Sequence, residues 1–482
     1  MTRTSQKEIW AISLPQTGLH NFEPSGTGRF QIWRGAAVVL GAALMIWPAL
    51  LNGYPLLYPD SMTYLGDGRL VARAVFLHKL SDYYGMRSFI YSLGIFPWHW
   101  NVTPWPVVAL QALLTAYVIW LVVRSILSRR TVWWYLVLCA LLSLLTSLSW
   151  FVSLIMPDIL GPVLYLCIYL LVFARETLSR LERLAVMLIA WWGVASHATH
   201  LMLAVGMCVL LASLIVLRRK SRHRLLRGVA EVAMVILLAA ATQLALHAYL
   251  YGEPSLNGER PPFVMARIIS DGPGRWYLEK HCGELNFAIC GFVHNLPDNA
   301  DDFLWAPNGV WSSASEDTRK QMLQEEVPFA LATLRAYPRA QISRSANNFW
   351  EELTSIDFAV DANGWILEEF DSALPGRRAL YLRSRQARDA LPADFFISIQ
   401  NWTVVVSLAV IGLFAPHLWR RRPARLVGLG VIIVFAVIAN AFVTGVLSTV
   451  EDRYEGRVIW LLPFLACALL LYWGERRQRA EA

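Results

Sequence analysis

The stretch LAVMLIAWWGVASHATHLMLAVGMCVLLASLIVL, residues 184–217, decides how this chain is threaded. It is apolar throughout except for SHATH at 196–200. A bilayer core needs only about 20 apolar residues of helix. The flanks supply the reading. RETLSRLER (175–183) precedes the stretch and RRKSRHRLLR (218–227) follows it. Short basic loops stay on the cytoplasmic side, so both flanks belong on one side and the stretch must turn back. Two short helices meet this demand, with His197 and His200 at their tip.

Working outward, further apolar runs lie at 35–52, 102–123, 131–156, 159–174, 229–250, 399–419, 426–449 and 457–473. With the divided stretch, the expectation is a polytopic α-helical membrane protein of about ten transmembrane helices. Its N- and C-termini would be cytoplasmic and its membrane the inner (cytoplasmic) one. That count puts every basic cluster inside: the N-terminus, Arg124–Arg130, 175–183, 218–227, RRRPAR (420–425) and ERRQR (475–479). Of 482 residues, 56% are hydrophobic and 16% charged, too apolar for a soluble globular chain. The net charge of +8 sits in these short loops, which argues against nucleic acid as a partner. The first residues hold Arg3, Lys7 and Glu8 without an apolar core, so no cleaved signal is expected. The organisation reads as a cytoplasmic segment 1–34, a transmembrane module 35–250 with a first outer loop 53–101, an extracytoplasmic domain 251–398 and a transmembrane module 399–482. The outer domain has one well-marked helical stretch, 316–336.

Of six cysteines, Cys139, Cys167, Cys208 and Cys467 fall in apolar runs and read as small buried hydrophobes. Cys282 and Cys290 share the long polar segment, and a disulfide between them is expected outside the cytoplasm. His281 and His294 are near, but no zinc spacing is present.

The polar chemistry gathers on the outer face. Asp60, in LLYPDSMTYL (56–65), follows the first apolar run. It reads as a general base or substrate ligand at a cavity mouth, or else as a helix cap shared with Ser61. Asp158, in MPDIL, opens the next span and has the same two readings. His197 and His200, three apart, read as one helical face contacting a phosphate, a sugar hydroxyl or a metal, or as a hydrogen-bonded tip. Arg69 and Arg73 share a face of a juxtamembrane helix over 62–80, and a second such element covers 83–100. VEDRYEGRVIW (450–460) sets Arg453 and Arg457 four apart. Two guanidiniums there suit a lipid phosphate through charge-assisted bonds, or form a surface ion-pair network with Glu451, Asp452 and Glu455. Phosphate-binding glycine loops, H-E-x-x-H and G-x-S-x-G are absent from the sequence. No charge stands mid-span, which argues against a proton-driven pump.

This layout resembles the GT-C superfamily of integral-membrane glycosyltransferases, which use polyprenyl-phosphate-linked sugars. Four features carry the resemblance: Asp60 in YPDS after the first span, two juxtamembrane helices in the first outer loop, Asp158 after the third span, and a large outer domain between the seventh and eighth spans. Many members carry two adjacent acids in the first loop, whereas here Asp60 stands beside Ser61. Nothing matches the oligosaccharyltransferase signature.

The resemblance implies a polyprenyl-phosphate-linked sugar donor whose phosphate is held by Arg453, Arg457 or the Arg69/Arg73 pair. Asp60 would be the general base in an inverting transfer. Asp158, with His197 or His200, would orient a lipid, glycan or protein acceptor, or bind a divalent metal where one is used. Two other classes stay open: a transporter or flippase of lipid-linked glycans, and an outer-face binding subunit without chemistry.

Overall fold

A computed structural model describes residues 27–78, 88–128, 131–217, 222–256, 260–284, 286–358, 360, 364–421 and 423–481. The expectations resting on Arg3, Lys7 and Glu8, on 79–87 and on 218–221 fall outside these residues. Helices dominate, and among the described residues the β-structure is one isolated parallel bridge, Leu56 with Leu154.

The chain begins with α1 (Thr27–Met45) and a short α2 (Trp47–Asn52). The expected first span 35–52 is thus broken after Met45, where Pro48 in the first turn of α2 has no N–H to continue the ladder. Gly53, at φ +80, then ends α2 in the left-handed conformation that glycine adopts without strain. The first loop holds α3 (Pro59–Leu77) and α4 (Phe89–His99), packed against each other. Then come α5 (Trp105–Ile126), α6 (Thr131–Leu145) and α7 (Leu148–Ser153). The run 131–156, read from sequence as one span, is therefore a helix, a break and an extended end. Thr146 Oγ1 turns back to Leu142 O, and Ser147 N donates to Gln400 Oε1 at 2.6 Å instead of continuing the helix.

A single 3₁₀ turn, Pro157–Ile159, leads into α8 (Leu160–Phe173). Next are α9 (Arg180–Ser196), α10 (Ala198–Leu217) and α11 (Arg222–Tyr251). Ser179 and Glu182 start α9 as a reciprocal capping box, at 3.2 and 2.8 Å. Its end is His197, which is fully extended, so 184–217 is divided where SHATH interrupts it.

The long polar segment carries α12 (Phe263–Ser270), α13 (Pro273–His281), α14 (Ala300–Trp305), α15 (Val310–Ser313), α16 (Glu316–Ala336), α17 (Pro338–Thr354), α18 (Gly364–Ala373) and α19 (Arg378–Tyr381). A small core of its own forms around Met265, Leu278, Phe303, Met322 and Phe329. Cys282 and Cys290 are joined by a disulfide beside it. The chain closes with α20 (Ala393–Arg421), α21 (Ala424–Leu447), α22 (Asp452–Ile459) and α23 (Leu461–Glu481).

Among the described residues, six helices are long and apolar enough to cross a membrane: Trp105–Ile126, Ala198–Val216, Leu225–Tyr251, Ala393–Leu418, Ala424–Leu447 and Asp452–Gln478. Three shorter apolar helices, Trp33–Met45, Thr131–Leu145 and Pro157–Phe173, accompany them. This is a multi-pass helical membrane protein. The basic ends are tied by ion pairs. Arg124 grips Glu182 at 2.6 and 2.9 Å, Arg175 grips Glu231 at 2.8 Å, and Arg425 reaches Glu176 at 2.9 Å.

Candidate functional site

The two aspartates singled out from sequence arrive on paired backbone. Leu56 N donates to Ser153 O, and Ile155 N donates to Leu56 O, both at 3.0 Å. Two glutamines complete this small sheet-like seam. Gln111 Nε2 donates to Val152 O and Leu154 O at 2.9 and 2.8 Å, and its own Oε1 accepts from Tyr91. On the other side, Gln386 Oε1 accepts from Leu57 N at 3.1 Å and its Nε2 donates to Leu57 O at 2.6 Å. A side-chain amide here does what a neighbouring strand would do, so the buried peptide groups of Leu57 are paired.

Beyond the seam each segment turns into helix, and each acid falls in the first turn. Tyr58 is the N-cap residue of α3, and its N–H donates to Ser61 Oγ at 2.9 Å. Ser61 therefore supplies the capping contact, which decides against Asp60 as the cap. The helix N-terminus still favours the Asp60 negative charge. Asp158 sits in the 3₁₀ turn, almost fully buried.

Both acids face α22, whose Arg453 and Arg457 are one turn apart. Arg457 Nη1 lies 3.2 Å from Asp158 Oδ1, with the two side chains 1% and 3% exposed. Its Nη2 donates to Asn440 Oδ1 at 3.0 Å. Asn440 in turn donates to Tyr454 O and Glu455 Oε2, at 2.7 and 2.9 Å. Arg453 Nη2 stands 3.9 Å from Asp60 Oδ2, with side chains 8% and 13% exposed. That guanidinium lies 4.0 Å over the Tyr58 ring and 4.9 Å over Tyr454. Its Nε and Nη1 are buried without a hydrogen-bond partner. Such a cation, held by ring faces, a long 3.5 Å bond from Nη2 to the Tyr454 hydroxyl and one distant carboxylate, is short of acceptors.

The surface ion-pair reading of VEDRYEGR is thus corrected. Arg453, Glu455 and Arg457 are buried, and Arg457 pairs with Asp158 from another part of the chain. These charges occupy the first two turns of the span Asp452–Gln478.

Glu352, from α17, closes the site from the polar segment. Its Oε2 accepts from Glu451 N at 3.0 Å, while Oε1 is buried without a partner. Burial pushes its carboxyl up to about 7, against the pull of that N–H and of Arg457. Burial also raises Glu451, opposed by Arg453, and lifts the Tyr58 phenol to about 12.

The remaining sequence candidates divide. His200 is buried near this cluster: its Nδ1 meets Gly193 O at 2.9 Å, and a Cβ on Gly161, three residues beyond Asp158, would lie 2.9 Å from its Nε2. His197 lies at the break between α9 and α10, not on one helical face with His200, and the two rings are 5.3 Å apart. Arg69 and Arg73 are on α3, nine and thirteen residues past Asp60, hence about 14 and 20 Å along the axis. Arg69 is exposed, and this pair does not join Arg453 and Arg457. Among the described residues, no three His, Cys, Asp or Glu side chains stand together as a cation-holding group.

Sequence reading missed Tyr58, Gln111, Glu352, Gln386 and Asn440. Asn440 had a signal, a lone amide within the apolar run 426–449. The others are ordinary residues whose partners lie far away in the chain.

No known protein-family model, curated protein or solved structure matches this chain.

Proposed function

We propose that this protein is a membrane glycosyltransferase of GT-C-like build. It moves a sugar from a polyprenyl-phosphate-linked donor to an acceptor on the extracytoplasmic side. In this reading α1, α5, α6, α8, α9, α10, α11, α20, α21 and α23 are ten crossings, and the acids open on the outer face of the inner (cytoplasmic) membrane.

One observation carries the reading. Arg453 is buried beside Asp60 and keeps two nitrogens, Nε and Nη1, without an acceptor. Phosphate oxygens would satisfy them through charge-assisted bonds. Arg457 is already engaged by Asp158 and Asn440. The donor phosphate therefore belongs to Arg453, and Arg457 with Asp158 fixes the turn of helix that presents it.

In the reaction, the acceptor hydroxyl oxygen attacks the anomeric carbon. The bond from that carbon to the phosphate oxygen breaks, and its electron pair leaves with the polyprenyl phosphate. Asp60 takes the hydroxyl proton. A positioned base contributes about 100- to 10,000-fold. Arg453 stabilises the charge growing on the departing phosphate. A single displacement inverts the anomeric centre.

The test is transfer of labelled sugar from polyprenyl-phosphate donors by the purified protein in vesicles. Wild type should form a glycosylated product and Asp60→Asn should not, at equal folded amount. Labelled donor that crosses the vesicle without forming product would favour a flippase. Undiminished transfer by Asp60→Asn would remove Asp60 from the chemistry.

A further inference from the structure

The helix α17 is turned the wrong way for water. Gln341, Asn348 and Glu352 recur at helical spacing and form its buried face. Gln341 Nε2 and Asn348 Nδ2 donate to the two oxygens of Asp271, at 3.0 and 2.9 Å. Glu352 takes the backbone N–H of Glu451. Meanwhile Ile342 is 62% and Trp350 64% exposed. At 100° per residue these two share one flank with Ala346, Phe349 and Leu353, and with Arg339 in the first turn, whose long side chain can reach the headgroups. The opposite flank carries Arg344, Asn347 and Glu351. A soluble helix buries the first set and wets the second.

The place of α17 says what covers its apolar flank. It packs directly on α21, a candidate span. A Cβ on Gly445 would meet Asn348 O at 2.7 Å and Glu352 Cβ at 2.8 Å, so the two backbones touch. On α21 itself, Val434, Ile438 and Phe442 are exposed at helical spacing. That row is the outward face of a spanning helix, and it runs to within one turn of Gly445. The exposed flank of α17 is thus continuous with a lipid-facing surface. Its apolar and charged flanks, with a tryptophan on the apolar side, suit a helix lying in the interface.

We infer that α17 is an interfacial helix: its Ile342–Trp350 flank is immersed in the headgroup and upper acyl region of the bilayer, anchoring the polar segment to the membrane surface. The inference is independent of any transfer chemistry.

The test uses the full chain in phospholipid vesicles. Spin labels go on Ile342→Cys, Trp350→Cys, Arg344→Cys and Glu351→Cys, each with Cys139, Cys167, Cys208 and Cys467 replaced by alanine. Collision with oxygen reports lipid, and collision with a water-soluble nickel chelate reports water. Oxygen should exceed chelate severalfold at 342 and 350, with the reverse at 344 and 351. Equal chelate access at all four positions overturns the inference. Labels at 342 and 350 that are immobile and reached by neither reagent overturn it too, since protein then covers the flank. A wild-type measurement guards against misfolding of the cysteine variants. A phospholipid with a diazirine high on its acyl chain should label tryptic peptides containing Ile342 and Trp350, and labelling confined to the spans counts against the helix lying in lipid.

Discussion

Asp158 and Arg457 form an ion pair at 3.2 Å in which neither side chain meets solvent to any useful extent. Removing one partner leaves the other charge buried alone, which costs about 3–5 kcal/mol. Arg457→Met should therefore lower thermal stability sharply in detergent. Adding Asp158→Asn to it should recover most of the loss. A double variant that is additive, with no recovery, would show that the pair is not coupled.

Arg453 leaves Nε and Nη1 without a partner, whereas both Nη atoms of Arg457 are engaged and only its Nε is open. Arg453→Lys keeps the charge but loses the flat fork between Tyr58 and Tyr454. On the proposed function, KM for a polyprenyl-phosphate sugar rises on the order of tenfold, about 1.4 kcal/mol. Stability should change little. Unaltered KM in steady-state assays would place the donor phosphate elsewhere.

Glu352 gives a pH signature. Its carboxyl is raised to about 7 from an ordinary 4.5, chiefly by burial. The fold thus favours the protonated form. The native state holds this proton where the unfolded chain has released it, so stability falls as pH rises from about 4.5 to about 7. Glu352→Gln should flatten the thermal midpoint across that window. A wild-type midpoint that climbs over the window, with no change of slope in the variant, would contradict the assignment.

Gly445 sits where α17 and α21 touch. Gly445→Ala pushes a methyl group against Asn348 O and Glu352 Cβ. Overpacking of this kind costs about 1–3 kcal/mol. Hydrogen exchange should quicken in α17 before the spans are affected.

Gln386 alone pairs both backbone groups of Leu57. Gln386→Ala leaves a buried donor and acceptor open, at about 1–3 kcal/mol each. The Leu57 amide should lose exchange protection in this variant while the Gln111 side of the seam keeps its own.

The helical membrane class and the division of 184–217 at SHATH were legible because both rest on local pattern. Apolar length gives spans, and a polar interruption gives a break. The helix 316–336 was legible for the same reason, a local pattern with Asp317 and Arg319 at its start, and the structure adds a Ser315 cap ahead of it. The candidate site was legible only in its charges. Asp60, Asp158, Arg453 and Arg457 stand out as ionisable residues beside apolar runs. Their pairing is set by tertiary contacts over hundreds of residues, which no local period encodes. Pro48 and Ser147 broke expected spans because single residues, one without an N–H and one bonded elsewhere, override apolar composition.

The bridge between Leu56 and Leu154 has a mechanical consequence. Each leucine stands four positions before its acid, Leu56 before Asp60 and Leu154 before Asp158, and the intervening backbone is helical or hydrogen-bonded at nearly every step. The two carboxylates therefore share one coordinate. A one-residue deletion ahead of either acid would not loosen a loop but slip a gear, turning one acid away from its arginine while the other stays meshed. The same rigidity means that a load applied at Gln386, far along the chain in the polar segment, is felt at Leu57 and passed to both acids together.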